Sequence, residues 1–262
     1  MKKLLGIASI AAHKAGRAIK KIRHEGFNVN KKEDETPVTK ADLQADKIIQ
    51  THLKKTGIPI LSEETKDDKA RLKSKHVWII DPIDGTKDFI AGENEFTVNI
   101  ALIQNGKPIL GVVYAPTLNK FYEATKNKAW LNSKEIHTNQ KKSFKNMIFL
   151  ESKRHHEKPV KNFLKENTFK KNLKISSSYK GCLLAEGKAD IIVRLTAQST
   201  WDVAAMHAII QGAGGKMVGI TNNIHYNKES TRVRNYVAIS NPNLTQLACW
   251  KAGKHFIPGY LE

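Results

Sequence analysis

Three short acidic segments stand out in a chain that is otherwise strongly basic. The longest, WIIDPIDGTKDF from Trp78 to Phe89, delivers two aspartates at the end of a hydrophobic run. Pro82 restricts the backbone between Asp81 and Asp84 and keeps a helix from starting early, so both carboxylates belong to a strand-to-helix turn. Magnesium takes near-octahedral oxygen ligation at about 2.1 Å, commonly from one or two carboxylates together with water and substrate phosphate. Asp81, Asp84 and the carbonyl of Ile83 can supply such ligands. Gly85 and Thr86 follow where a helix should begin, with Lys87 next, and free N–H groups at a helix start favour a phosphate. Metal ligands beside an anion cradle indicate phosphoryl chemistry. An acidic turn that merely caps a helix explains one aspartate, not two flanking Pro-Ile and running into Gly-Thr-Lys.

The other two segments say less alone. LSEE, Leu61 to Glu64, follows Ile58-Pro59-Ile60, and its adjacent glutamates read first as solvated charge at a strand end. WDVAA, Trp201 to Ala205, puts Asp202 near the start of a helix that ends at Gly214-Gly215. A plain cap would look the same.

Positioning these groups requires a scaffold of helices and strands. Leu4, Ile7, Ala8, Ala11, Ala15, Ile19 and Ile22 recur at helical steps, so the signal-like start MKKLL reads as part of an amphipathic first helix. A polar stretch from Asn28 to Pro37 leads to a second helix, with Thr39 as cap and Asp42 in capping-box register. Leu43, Ile48, Ile49 and Leu53 form its expected apolar face, and Gly57 ends it. Val77–Asp81, Phe96–Ile103, Pro108–Ala115 and Lys120–Ala124 read as strands. Beyond Asn139 strands are expected at Met147–Leu150, Ala189–Leu195, Lys216–Ile220 and Tyr236–Ser240. Helices are expected at Pro159–Lys165, Trp201–Gly212 and Pro242–Ala252. The pattern is α+β, mixed sheets layered with helices. Residues 1–138 form an N-terminal subdomain with most of the metal ligands. Residues 139–262 form a C-terminal one that completes the site, with no flexible linker between them.

Among 262 residues, 44 Lys and Arg oppose 25 Asp and Glu, a net charge of +19 that attracts polyanions without choosing one. The lysines are scattered with little aromatic interleaving, so the surface reads as solvated rather than as a specific nucleic-acid groove. No apolar run approaches the roughly 20 residues that cross a bilayer. Cys182 and Cys249 suggest neither zinc nor a disulfide framework, which fits a reducing cytoplasm or the inner face of its membrane.

In this order and at these separations, VTKAD (Val38 to Asp42), LSEE, DPIDGT and WDVAA resemble the signature of the inositol-monophosphatase superfamily. The resemblance covers nearly the whole chain. It implies the layered αβαβα sandwich of sugar phosphatases and two or three Mg²⁺ ions. Glu63, Asp81 and the Ile83 carbonyl would hold one ion, and Asp81, Asp84 and Asp202 a second. Thr86, partnered by Asp42, would orient and deprotonate the attacking water, with Glu63 helping to hold a water or third ion. Inhibition by Li⁺ is a further implication.

Within that superfamily DGTKDF is similar to the DGTKEF of CysQ-type 3'(2'),5'-bisphosphate nucleotidases, with Asp88 for the usual glutamate. NEFTVNIALI and ILGVVYAP are close to the same branch, and SSSYKGCLLAEGKADIIVRL is similar to its nucleotide-binding stretch. Lys180 and Arg194 fall where that branch keeps cations, whereas inositol monophosphatases tend to place a glutamate at the Arg194 position. Gly85, Thr86, Lys87, Ser177, Lys180, Arg194 and Asp202 are thus the implied substrate contacts. A phosphorylated nucleotide, adenosine 3',5'-bisphosphate, is the implied ligand, and inositol monophosphate the alternative. His155 is a weaker candidate; it and His156 read equally as surface polarity. Ser176 stands where a glycine is usual and Gly181 where an aromatic is usual.

Overall fold

The computed structural model describes residues 1–32, 37–155 and 157–256. Helix α1 (Lys2–Glu25) is the single amphipathic helix its spacing predicts, burying Ala8, Ala11, Ala12, Ala15, Ile19 and Ile22. The polar stretch after it contains a hairpin that the sequence did not announce, β1 (Val29–Lys31) antiparallel to β2 (Pro37–Thr39). Its first strand is exposed throughout and has no apolar alternation to betray it. Helix α2 (Lys40–Leu53) begins with the expected capping box: the Thr39 hydroxyl accepts from the Ala41 amide, and Asp42 accepts from the Thr39 amide. Its buried face differs from expectation, since Leu43 is 53% exposed while Asp42 and Asp46 turn inward. Asp42, Asp46, Ile49 and Leu53 share one stripe, and each step along a helix turns by about 100°, which carries Leu43 into solvent.

The first sheet has seven strands in sequential order: β3 (Ile60–Ser62), β4 (His76–Asp84), β5 (Thr97–Gln104), β6 (Lys107–Ala115), β7 (Lys120–Thr125), β8 (Lys128–Leu131) and β9 (Lys134–Ile136). The short helix α3 (Thr86–Ile90) lies between β4 and β5. Only β3 runs parallel to its neighbour. Strands β8 and β9 were not expected. Their turn is Asn132-Ser133, both with left-handed φ (48° and 67°), a hairpin turn without the usual glycine.

The second half contains β10 (Ile148–Ser152), α4 (Lys158–Glu166), β11 (Lys171–Ile175), α5 (Tyr179–Ala185), β12 (Ile191–Arg194), β13 (Gln198–Ser199) and α6 (Thr200–Gly212). It ends with β14 (Lys216–Gly219), β15 (Arg232–Val233), β16 (Tyr236–Ile239) and α7 (Thr245–Gly253). Five of its strands form a sheet in the order β11-β10-β12-β16-β14, and β13 pairs with β15. Strand β11 and helix α5 were missed, because lysines and serines there hide any period.

Alternation along β4 sets the layers. Trp78 and Ile80 face α1 and α2, while Val77 and Ile79 face a middle layer that includes α6. On the far side α6 meets Leu150, Ile192 and Ala238 of the second sheet, whose outer face carries Phe149, Ile191 and Val237 against α4 and α7. The result is αβαβα, the expected architecture. Helix α6 sits flush on the first sheet at Gly111, where a Cβ would stand only 2.6 Å from the Ala205 carbonyl oxygen.

Candidate active site

Residues Asp81 and Asp84 are three apart, which on a regular strand would send them to opposite faces. The register with β5 slips between them: Asp81 pairs with Asn99 but Asp84 with Thr97. One extra residue on β4 makes a bulge at Pro82, which cannot donate to the ladder, and both carboxylates then line one cleft. Parallel pairing brings Glu63 alongside, with its amide on the Ile80 carbonyl. From the middle layer, the first turn of α6 supplies Asp202. Carboxylate oxygens of Glu63, Asp81 and Asp202 lie within 4.8 Å of one another.

Asp81 is 1% exposed, and neither of its carboxylate oxygens has a hydrogen-bond partner among the described residues. Burial raises its pKa well above the ordinary carboxylate range, and the charges of Glu63, Asp84 and Asp202 raise it further. Burial likewise lifts Asp202 and Glu63, the latter against the pull of Lys32. An unpaired buried carboxylate among others costs several kcal/mol unless a cation joins it. The cluster therefore has the donor set and the electrostatic need of a metal site. Lys32 reaches its edge, donating to Glu63 at 2.9 Å and Glu64 at 2.7 Å. Burial nonetheless raises Glu64 to about 7.

Beyond the cluster Gly85 adopts φ 93°, a left-handed conformation that suits glycine, and starts α3. The Thr86 hydroxyl lies 3.0 Å from the Ile83 carbonyl and 3.3 Å from Asp42, whose other oxygen accepts from the Thr39 hydroxyl. Asp42 is 1% exposed, and burial raises its pKa.

Opposite lies the serine loop. Ser176 and Ser178 are buried and tied to the first half of the chain. The Ser176 hydroxyl donates to Asp88 at 3.0 Å and its amide to Glu95 at 2.9 Å. The Ser178 amide donates to Asp84, while its hydroxyl donates to the Asp202 carbonyl and accepts from Asn99. Between them Ser177 has φ 54° and lines the cleft. Lys180 is 6% exposed and donates to the Ser177 carbonyl at 2.8 Å; burial lowers its pKa to about 8.

The cleft measures about 480 Å³. Glu63, Asp81, Ile83, Asp84, Gly85, Thr86, Lys87, Ser177, Lys180 and Asp202 line it, as does His155, while Asp42 stands behind Thr86. Arg194 does not line it. Its Nε is 2.8 Å from Glu157, poorly aligned for a hydrogen bond, in an ion pair 6% exposed on either side. His156 lies outside the described residues. Lys32, Asp88, Arg154 and Arg232 line the cleft without having been foreseen, and Asn99 and Ser178 brace it. Asp88 figures in the sequence only as a residue of the DGTKDF motif, and Asn99 leaves a trace as an amide inside the apolar run TVNIALI.

A layered αβαβα sandwich with carboxylates gathered at a strand-to-helix bulge defines a class of phosphatases. The chain belongs to the inositol monophosphatase family, whose profile matches residues 1–255. Among curated proteins it is similar to the 3'(2'),5'-bisphosphate nucleotidase CysQ of Escherichia coli O6:H1, 40% identical over 210 residues, covering 78% of this chain and 85% of that one. The protein of the same name from Buchnera aphidicola is 38% identical over 240 residues, covering 87% and 89%. Among solved structures, CysQ of Bacteroides thetaiotaomicron superposes with a TM-score of 0.78 at 31% identity, covering 90% and 96%. An IMPase of Thermotoga maritima shares the fold with a TM-score of 0.81 at 24% identity, covering 97% and 98%.

Proposed function

We propose that this chain is a Mg²⁺-dependent 3'(2'),5'-bisphosphate nucleotidase that hydrolyses the 3'-phosphate of adenosine 3',5'-bisphosphate to AMP and phosphate. In a reducing cytoplasm this would clear a by-product of sulfate activation. One observation carries the reading: a single cleft joins a buried carboxylate cluster, with no donor to Asp81 among the described residues, to the buried Lys180 of α5. The similarity to CysQ proteins supports the choice of substrate.

Glu63, Asp81, the Ile83 carbonyl, Asp84 and Asp202 would hold two or three Mg²⁺ ions, which when bound acidify a water and neutralise charge on the leaving oxygen. Thr86 would take a proton from a water at its hydroxyl as its own proton passes to Asp42, which Thr39 holds in place. Gly85 and the amides that follow it cradle the reacting phosphate, and Lys87 adds charge. The remote 5'-phosphate meets Lys180 and Ser177. Arg194, already paired with Glu157, adds positive potential from behind.

A phosphate-release panel in Mg²⁺ tests the reading, comparing adenosine 3',5'-bisphosphate, inositol 1-phosphate and fructose 1,6-bisphosphate. The nucleotide should have the highest kcat/KM. Preference for inositol 1-phosphate would overturn the substrate while leaving the metal site intact.

A further inference from the structure

We propose that Asp88 and Ser176 are a coupled pair of positioning residues, fixing the nucleotide-side loop to the helix that presents Thr86. The inference rests on the reading of Thr86 and Ser177 as site residues. Asp88 lies two residues after Thr86 on α3 and is 2% exposed. One of its oxygens accepts both the Ser176 hydroxyl at 3.0 Å and Arg154 Nε at 3.1 Å, groups that arrive from the second half of the chain. The Ser176 amide is held in turn by Glu95, at 2.9 Å. Two carboxylates from the segment following the bulge thus grip the residue immediately before Ser177. Any shift of α3 is passed to the loop that faces the remote end of the substrate.

The chemistry of the two residues points the same way. The short carboxylate of Asp88 and the hydroxymethyl of Ser176 are matched in reach across a buried contact. Relative to glutamate, aspartate withdraws the carboxylate by one methylene, about 1.5 Å. The serine hydroxymethyl extends from the other wall to meet it. No backbone demand for glycine exists at 176, because the left-handed φ falls on Ser177. Asp88 and Ser176, 88 residues apart in sequence, thus meet in one buried contact.

A four-protein cycle tests this: wild type, Asp88→Glu, Ser176→Gly and the double variant. Each is assayed in Mg²⁺ well below its melting temperature on the ester that the wild type hydrolyses best in the panel above, so a wrong substrate assignment does not disturb the outcome. Each single variant should lose about tenfold in kcat per folded molecule, since misplacement of about 1 Å costs up to a hundredfold. The double variant should recover to within about threefold of wild type, because the glutamate then refills the space the serine vacates. Single losses that multiply in the double variant would overturn the coupling. Urea midpoints that fall while kcat holds would reduce the pair to a structural contact and overturn its positioning role.

Discussion

The two ends of the cleft are built on opposite electrostatic principles. At the acidic end Asp81 is buried without a donor among the described residues and surrounded by like charge, an arrangement that a cation would stabilise. At the serine end nearly every polar group is already spoken for: Ser176 and Ser178 by carboxylates and Asn99, Arg194 by Glu157. Lys180 is the intermediate case, buried with one acceptor and an ammonium that has further donors to give. Unsatisfied charge marks where chemistry is to be done, and satisfied charge marks where shape is to be kept.

The sharpest way to break this contrast is at Asp81. Asp81→Asn removes an unpaired buried charge, so kcat should fall by on the order of a thousandfold while the metal-free protein melts higher than wild type. A lower metal-free melting temperature would show that the acidic end is not strained. Asp84→Asn should also silence the enzyme but without that gain, because Asp84 accepts from Ser178 and Asn99.

Next in size is Thr86→Ala, which would interrupt the proposed relay to Asp42 and should lower kcat roughly a hundredfold with little change in KM. A change confined to KM would assign Thr86 to phosphate binding instead.

The smallest effects are at the serine end. Lys180→Ala should cost roughly ten- to a hundredfold in kcat/KM for adenosine 3',5'-bisphosphate and much less for adenosine 3'-monophosphate. Burial holds its pKa near 8, below the ordinary 10.5, so the ammonium is lost as pH rises through about 8. KM for the bisphosphate should climb above that pH, and Lys180→Arg should flatten the profile. For stability the sign is opposite: between about 8 and 10.5 the folded chain binds fewer protons than the unfolded one, so this residue's contribution grows as pH rises. Arg194→Ala should behave differently from Lys180→Ala, lowering the melting temperature and the turnover of all substrates together, because the buried Glu157 loses its cation and keeps only the Leu195 and Thr196 amides.

What could be read from the sequence was what obeys local rules. The capping box at Thr39, the long strands β4 to β7 and the helix α6 follow from period and turn chemistry, whereas DPIDGT reads as a strand-to-helix turn and is instead a bulge within β4, which runs through Asp84. Contacts between distant segments were invisible. Arg194 looked like a free cation because Glu157, 37 residues earlier, carries no sign of its partner. Lys32 was one lysine among many. Leu43 looked like core because apolar periodicity cannot report that two aspartates on the same helix have prior claim to the inner face.

Gly111 has a consequence for how this enzyme can drift. With 2.6 Å between its missing Cβ and the Ala205 carbonyl, and 2.7 Å to Ala208 Cβ, the absence of one methyl group sets the thickness of the layer between β6 and α6. Asp202 rides on that helix and Asp81 on the sheet beneath it, so the glycine acts as a shim that gauges the span across which the carboxylates converge. Alanine there would lift the helix without touching a single ligand. A methyl group at this remote and chemically silent position would thereby disturb the convergence of the acids.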